Sequence, residues 1–460
     1  MSRILFTMAF IVLAGPGSAQ YAESKPVEGP MAKGYAAISQ EDCRTWLTYL
    51  ASDDLGGRAT GTEGHQKAAD YVAARFKDFG LKPVGDDESY FQRVDLVRLN
   101  PTQDACQLAI GDRVFTGGDS LTFGACEGEA EGSVVVLRAA GRDSVLPDDV
   151  DLKGKIVVLI SERAVMVSSL RRELSEHDPA ALVVVGRPWR PVRFDSRQLQ
   201  VAASVKKVAY IEDAVATEFL TAIGVPGEFQ QPGANGPATV LTLPTKVRFT
   251  AVAERELIQA PNVVGYLEGS DADLKHEVVI CGSHLDHIGT GRDGAINNGA
   301  DDDGSGSTAL LAVAKAFSMN GIRPKRSLLF IAVCGEELGL LGSEHYVENP
   351  IIPIKDTVCE LQMDMVGRNE QKRNREGEDT EKAEDNIRST HLVGTKKLSM
   401  DLHQIVLAAN EHVGFEFEFD EESVWNRSDH YNFAKKGIPI VFVFSGFHPD
   451  YHKPTDTVDK

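Results

Sequence analysis

Cysteine is scarce in this chain, with 6 in 460 residues. Cys43, Cys106, Cys126, Cys281, Cys334 and Cys359 form no Cys-x-x-Cys pair, which argues against thiolate zinc sites. Cys281, Cys334 and Cys359 lie in apolar runs and read as buried small hydrophobes. Cys106 and Cys126 are candidates for a disulfide if the protein is exported. Cations are also in deficit: 48 Lys and Arg stand against 68 Asp and Glu, a formal charge of −20. That balance excludes nucleic acid as a natural partner and argues against docking on an anionic membrane. Beyond the N-terminal segment no apolar run approaches the ~18 residues of a membrane span. The glycine-rich stretch Asp53 to Gly64 resembles a phosphate cradle at first sight. It lacks the Gly-Lys-Ser/Thr ending of a P-loop, so nucleotide binding is set aside.

Apolar residues make up 42% of the chain, and the length predicts two or three domains. Arg3, the short apolar run Ile4 to Ala14 and the small residues Gly17-Ser18-Ala19 read as a signal peptide over 1–19. A flexible leader follows over 20–35. The expected location is secreted or periplasmic. A helix is predicted from Ile38, and a second one after Gly64, with Ala68, Ala69, Val72, Ala73 and Phe76 as its apolar stripe. Residues 98–245 contain short β runs at 134–137, 156–160, 181–185 and 208–211, with a helix around Ser168 to Ser175. No cluster of His and carboxylates occurs among them, so this part reads as a small β-rich insert without chemistry of its own. Residues 368–389 carry dense charge of both signs and read as a solvated loop.

The chemistry gathers between Val278 and Glu337. The run Val278-Val279-Ile280-Cys281-Gly282 leads to Ser283-His284-Leu285-Asp286-His287. A glycine-rich loop then reaches Asp301-Asp302-Asp303-Gly304-Ser305-Gly306. The amphipathic run Thr308 to Phe317 suits a helix, and Ser327 to Cys334 suits a strand that stops at Gly335-Glu336-Glu337. Strand, loop, helix and strand make a βαβ unit, which predicts an α/β fold with a mostly parallel central sheet flanked by helices. Ligands bind such sheets outside the carboxyl ends of the strands. A further strand ends at Asp364, and the last one precedes His448 and His452. His284, Asp302, Glu337, Asp364 and His452 can thus be collected at one sheet edge. Two zinc ions about 3.5–4 Å apart need a bridging carboxylate plus one His and one carboxylate each, and these five residues satisfy that count. His287 reads as packing beside the site, and His448 is the runner-up to His452, its following Pro449 favouring a turn. Asp301 and Asp303 read as caps. Arg427 either grips a substrate carboxylate or pairs with nearby acids.

These segments, together with Asp54-Leu55-Gly56-Gly57-Arg58 and His452-Lys453-Pro454-Thr455-Asp456-Thr457, resemble the zinc aminopeptidases of metallopeptidase family 28, of the aminopeptidase Y and bacterial leucyl aminopeptidase type. The resemblance covers 36–97 and 246–460, which it implies to be the catalytic domain with the zinc-exopeptidase (phosphorylase/hydrolase-like) fold. The insert at 98–245 is similar to a protease-associated domain. The resemblance implies two zinc ions per chain, one on His284, Asp302 and Asp364 and the other on Asp302, Glu337 and His452. It implies Glu336 as general base and Asp286 as the hydrogen-bond partner of His284. The expected activity is release of N-terminal residues from peptides with a free amino terminus. The alternatives are a carboxypeptidase or dipeptidase on the same fold, and a one-zinc glutaminyl cyclase. A catalytically dead receptor-like module is disfavoured by the complete ligand set. The chain departs from the family pattern in two places. Trp425 stands where some relatives carry an oxyanion-stabilising Tyr, and only eight residues follow His452, where relatives continue with a helix.

Overall fold

The computed structural model describes residues 21–460 apart from 22–23, 140–143, 148–149, 164–169, 171–173, 175–176, 188–198, 203–205, 234–236, 292 and 375–376. The signal peptide expected over 1–19 lies outside the described residues, as does the helix at 168–175 apart from Leu170 and Leu174. The chain divides into two compact units, Met1–Val94 with Gln259–Lys460, and Asp95–Ile258.

The first unit is built on a mixed sheet. Its strands are β1 (Phe91–Pro101), β2 (Ala253–Leu267), β3 (Val278–His284), β4 (Ser327–Val333), β5 (Thr357–Met363), β6 (Ser389–Val393), β7 (Glu416–Glu418) and β8 (Ile440–Phe444). They lie side by side in the order β7-β6-β8-β5-β3-β4-β2-β1. The central pairs β4/β3, β3/β5 and β5/β8 are parallel, while β2/β4 and β6/β8 are antiparallel. Every residue of β4 is buried. That uniformly apolar run is what a parallel strand covered on both faces requires.

Helices supply the cover. α1 (Gln40–Leu50) starts at Ser39, whose hydroxyl accepts the Asp42 amide at 3.1 Å. Such a cap satisfies one of the four amides that a helix start leaves without partners. α2 (Glu63–Asp78) buries the predicted stripe Ala68, Ala69, Val72, Ala73 and Phe76. Phe76 packs on Phe330 of β4, with ring centroids 6.3 Å apart. Full burial of such a side chain stabilises by roughly 1.5–3 kcal/mol. α3 (Gly306–Met319) lays Leu310, Leu311 and Ala314 into the same core.

The charged stretch 368–389 is more than a solvated loop. Lys372–Arg373 pairs antiparallel with Asp379–Glu381, and Glu370 and Asn386 are buried. Its opposite charges find partners at short range: Lys372 Nζ lies 3.0 Å from Glu370 and 3.1 Å from Glu381. Those pairs and the buried anchors hold a segment whose composition alone reads as solvated.

The second unit contains an eight-stranded sheet in which Gly128–Arg138, Ile156–Arg163, Ala181–Arg187 and Val208–Ile211 run parallel in turn. Alternate residues enter two cores. Val134, Val136, Ile156, Val158 and Val183 join one, and Val135, Leu137, Val157, Leu159 and Val184 join the other. The period of 2 sends successive side chains to opposite faces, so the apolar runs are buried on both. The described Cys106 and Cys126 thiols are unbridged and buried. Cys106 Sγ donates to the carbonyls of Thr102 and Val252, and Cys126 Sγ to that of Val208.

Candidate active site

The carboxyl ends of β4, β3, β5 and β8 deliver side chains to one place. His284 closes β3, Glu336 and Glu337 follow β4, Asp364 follows β5, and the turn after β8 brings in His448 and His452. Asp302 enters from the glycine-rich loop before α3. That loop needs its glycines at two points. Gly299 has φ +59°, and a Cβ there would lie 2.2 Å from Asp302 O. A Cβ on Gly306 would lie 2.3 Å from both Asp303 Oδ1 and Met363 O. The Asp302–Asp303 peptide is cis.

His284 Nε2 lies 3.2 Å from Asp302 Oδ1 and 3.5 Å from Asp364 Oδ1. His452 Nε2 lies 3.0 Å from Asp302 Oδ2 and 3.1 Å from Glu337 Oε2. Asp302 therefore faces both groups, one with each carboxylate oxygen. His287 joins the second group: its Nδ1 is 2.8 Å from Glu337 Oε1 and 3.8 Å from Asp302 Oδ2. It is fully buried and stands closer to these carboxylates than its reading as a neighbour implies. His448 is elsewhere, with its Nε2 3.1 Å from Asp301 Oδ2.

The donor atoms of each group can hold a metal ion. Within His284, Asp302 and Asp364, and within His287, Asp302 and Glu337, one donor atom per residue lies within 4.8 Å of the others. A tetrahedral ion with ligand bonds of about 2.0 Å spaces its donors about 3.3 Å apart, which matches the separations here. His284 Nε2, both His287 ring nitrogens and Glu337 Oε1 are buried and, close as they stand to one another's groups, make no well-aligned hydrogen bond among the described residues. Buried polar atoms are rarely left without a partner, and a cation is the partner this set of imidazoles and carboxylates suits.

Supporting hydrogen bonds fix the donors. His284 Nδ1 is 3.0 Å from the backbone carbonyl of Asp286, whereas the Asp286 carboxylate lies 3.9 Å from it. Asp286 thus orients His284 through its main chain. Its carboxylate accepts from Thr60 Oγ1 at 2.9 Å and from the Glu336 amide at 3.1 Å. Asp303 accepts the amides of His284, Gly306 and Met365, which caps α3 and ties β3 to β5. Asp456 accepts the amides of Asp301 and Asp302. Arg58, 1% exposed, donates to the carbonyls of Leu285, Asn298 and Gly299 at 2.9, 2.7 and 2.9 Å, and to Leu50. Charges separate along the site. Burial pushes the Glu336 carboxyl well above the usual range, with Glu337 and Asp364 adding to the effect and His284 opposing it. Burial disfavours charge on His452, yet Asp302 and Glu337 raise its pKa to about 10.

Asp302, Glu336 and Asp364 line a cavity together with Phe447, Tyr451 and Arg427. Tyr451 stacks on His452 with ring centroids 3.9 Å apart, and burial raises its phenol pKa. Sequence reasoning passed over Tyr451; its adjacency to His452 was the available signal. Trp425 turns away from the cavity, against Gly394 and under the Lys397 ammonium. A third group, Glu370, His391 and Glu418, lies apart from these residues. Lys372 and the imidazole already balance its acids: His391 Nε2 is 3.4 Å from Glu370, and its Nδ1 is 3.1 Å from Asp420.

The chain is similar to several known proteins. The chain is 24% identical to a probable lipoprotein aminopeptidase LpqL of Mycobacterium tuberculosis, over 95% of this chain and 85% of that protein. It is 28% identical to a probable leucine aminopeptidase of Arthroderma otae, over 45% of this chain and 60% of that one. Among solved structures, an aminopeptidase from Aneurinibacillus sp. strain AM-1 superposes with a TM-score of 0.50 at 18% identity, over 94% of this chain and 91% of that one. It shares the fold. The sequence model of peptidase family M28 matches residues 262–460, the stretch that holds all the candidate metal-binding side chains, so this part of the chain is an M28 peptidase domain.

Proposed function

We propose that this protein is an exported zinc exopeptidase that removes residues from the free amino termini of peptides. The observation that carries the reading is the double cluster around Asp302, placed where four parallel strands end. In this reading His284, Asp302 and Asp364 hold one zinc ion, and Asp302, Glu337 and His452 hold the other. His452 is preferred to His287 because its nitrogen stands near 3 Å from both carboxylates of its group, whereas His287 does so with one. Zinc ions held there supply Lewis acidity toward the scissile carbonyl and toward the attacking water.

The chain's own residues do the rest. Glu336 lines the cavity with one face toward Asp364 and His284. Its carboxylate takes the proton of the attacking water and delivers it to the leaving amine. Burial raises its affinity for that proton, which favours the first transfer, from the water. The amide of Glu336 is pinned by Asp286, so Asp286 sets where the base stands. The buried phenol of Tyr451, neutral at working pH, faces the same cavity as a donor for the carbonyl oxygen as charge grows on it. Residues 95–258 carry none of these groups and act on access to the site, in the manner of a protease-associated domain.

The test is an assay of purified protein on matched peptides with free and blocked amino termini, with metal measured on the same sample. Cleavage of the free-amine series alone, with two zinc ions per chain, is the expected result. Cyclisation of N-terminal glutamine with one ion would favour the cyclase reading instead.

A further inference from the structure

Arg427 is an unusual cation for this chain. With 20 more acidic than basic formal charges overall, its basic residues have carboxylates to spare. Nearby Arg368 uses one, holding Asp450 at 3.2 Å. Arg427 is exposed and has no carboxylate partner among the described residues. Its Nη2 donates to Tyr451 Oη at 3.1 Å, and its guanidinium lies 5.0 Å from the centroid of the Phe447 ring. Both contacts hold the group in place and neither neutralises it. Tyr451 in turn stacks on His452. The guanidinium is thus held in the lining of the cavity that Asp302, Glu336 and Asp364 also line. A fixed planar fork with open donors suits a carboxylate better than any other common substrate group. The cavity lining holds both carboxylates and this one guanidinium, charges that a zwitterion can pair with.

We infer that Arg427 binds a carboxylate of the substrate while the acidic residues face the amino terminus. The inference rests on the aminopeptidase reading and narrows it to short or acidic substrates. The carboxylate has two possible sources: the side chain of an N-terminal Asp or Glu, or the free carboxyl terminus of a dipeptide, one residue beyond the scissile bond.

The experiment uses the full zinc-loaded chain and four substrates: leucine p-nitroanilide, glutamic acid α-p-nitroanilide, Leu-Leu and Leu-Leu-amide. The variant is Arg427→Met, which keeps an unbranched stem against Phe447. Its kcat/KM should fall at least tenfold, mainly through KM, on one carboxylate-bearing substrate, and stay within twofold on leucine p-nitroanilide and Leu-Leu-amide. Loss confined to the glutamyl substrate identifies the side chain, and loss confined to Leu-Leu identifies the carboxyl terminus. Arg427→Lys should recover part of the loss. An equal change on all four substrates, or no change on any, overturns the inference while leaving the aminopeptidase reading intact. A wild-type protein that cleaves none of the four overturns both.

Discussion

The proposed function gives the adjacent glutamates after β4 different tasks, in keeping with the different groups they face. Glu336 stands beside the His284 group, and Glu337 between His287 and His452. Glu336→Gln keeps the shape but removes the basic oxygen, so turnover should drop by roughly 10²–10⁴-fold with both zinc ions retained. Glu337→Gln replaces a charged ligand with a weak neutral one and should lower zinc content instead. Elemental analysis and turnover on both variants check the pair, and the reverse pattern would exchange the roles. The two neighbouring histidines separate in the same way. His452→Ala should lose one zinc ion per chain. His287→Ala should keep two, because its nitrogen stands near one carboxylate of the group and away from the other. A zinc count of one for His287→Ala would make His287 the ligand.

At the scale of elements, the site depends on how the loops at the sheet edge are tied down. Arg58 reaches across three segments, joining the end of α1, the residue after β3 and the loop that leads to Asp302. Arg58→Met would leave several buried carbonyls without donors, each costing about 1–3 kcal/mol. Urea unfolding should show a loss of at least about 3 kcal/mol, with zinc affinity falling alongside. Two histidines make the same unit sensitive to acid. His65 on α2 is buried and held neutral by that burial and by the Arg58 charge, with a pKa of about 4. His430 has a pKa of about 3, also from burial; its Nε2 bonds the Trp425 carbonyl at 2.7 Å and its ring stacks on Phe442. Both values lie below the unfolded 6.5, so the unfolded chain binds more protons below that pH. Their contribution is complete above pH 6.5 and is lost as pH falls toward 4 and 3. The slope is at most about 1.4 kcal/mol per pH unit for each group. Denaturation at pH 7, 6 and 5 should show the wild-type protein losing stability relative to His65→Leu as pH falls, on top of the opposite slope that the raised Glu336 and His452 groups give to both proteins. A difference between the two proteins that does not change with pH would contradict the assignment.

For the whole molecule, the division into two units locates function. Every candidate ligand, the proposed base Glu336 and the supporting Arg58 and Asp456 belong to the unit formed by Met1–Val94 and Gln259–Lys460. Replacing the insert, residues 98–245, with a short linker should leave two zinc ions bound and change the substrate preference. Loss of both ions from a folded deletion protein would show that the insert supports the metal site directly. Among the described residues no helix is long and apolar enough to cross a membrane.

The sequence by itself determined the strand-ending positions. A buried parallel strand must be a short apolar run, and such runs stop visibly at His284, Glu336 and Asp364. It also determined the glycine loop around Asp302 and the apolar stripe of α2, because turns and helical faces are local. The tertiary structure alone decided which atoms act. It assigned the Asp286 carbonyl to His284 and the Asp286 carboxylate to Glu336. It drew His287 toward the second group, turned Trp425 away, placed Tyr451 in the cavity and left Arg427 without a counter-charge. Each of these depends on the distance and angle between side chains far apart along the chain. Arg58 and Gly299, for example, are separated by 241 positions. Local propensity sets where a strand or helix ends, but the packing of the whole sheet sets which side chains meet there.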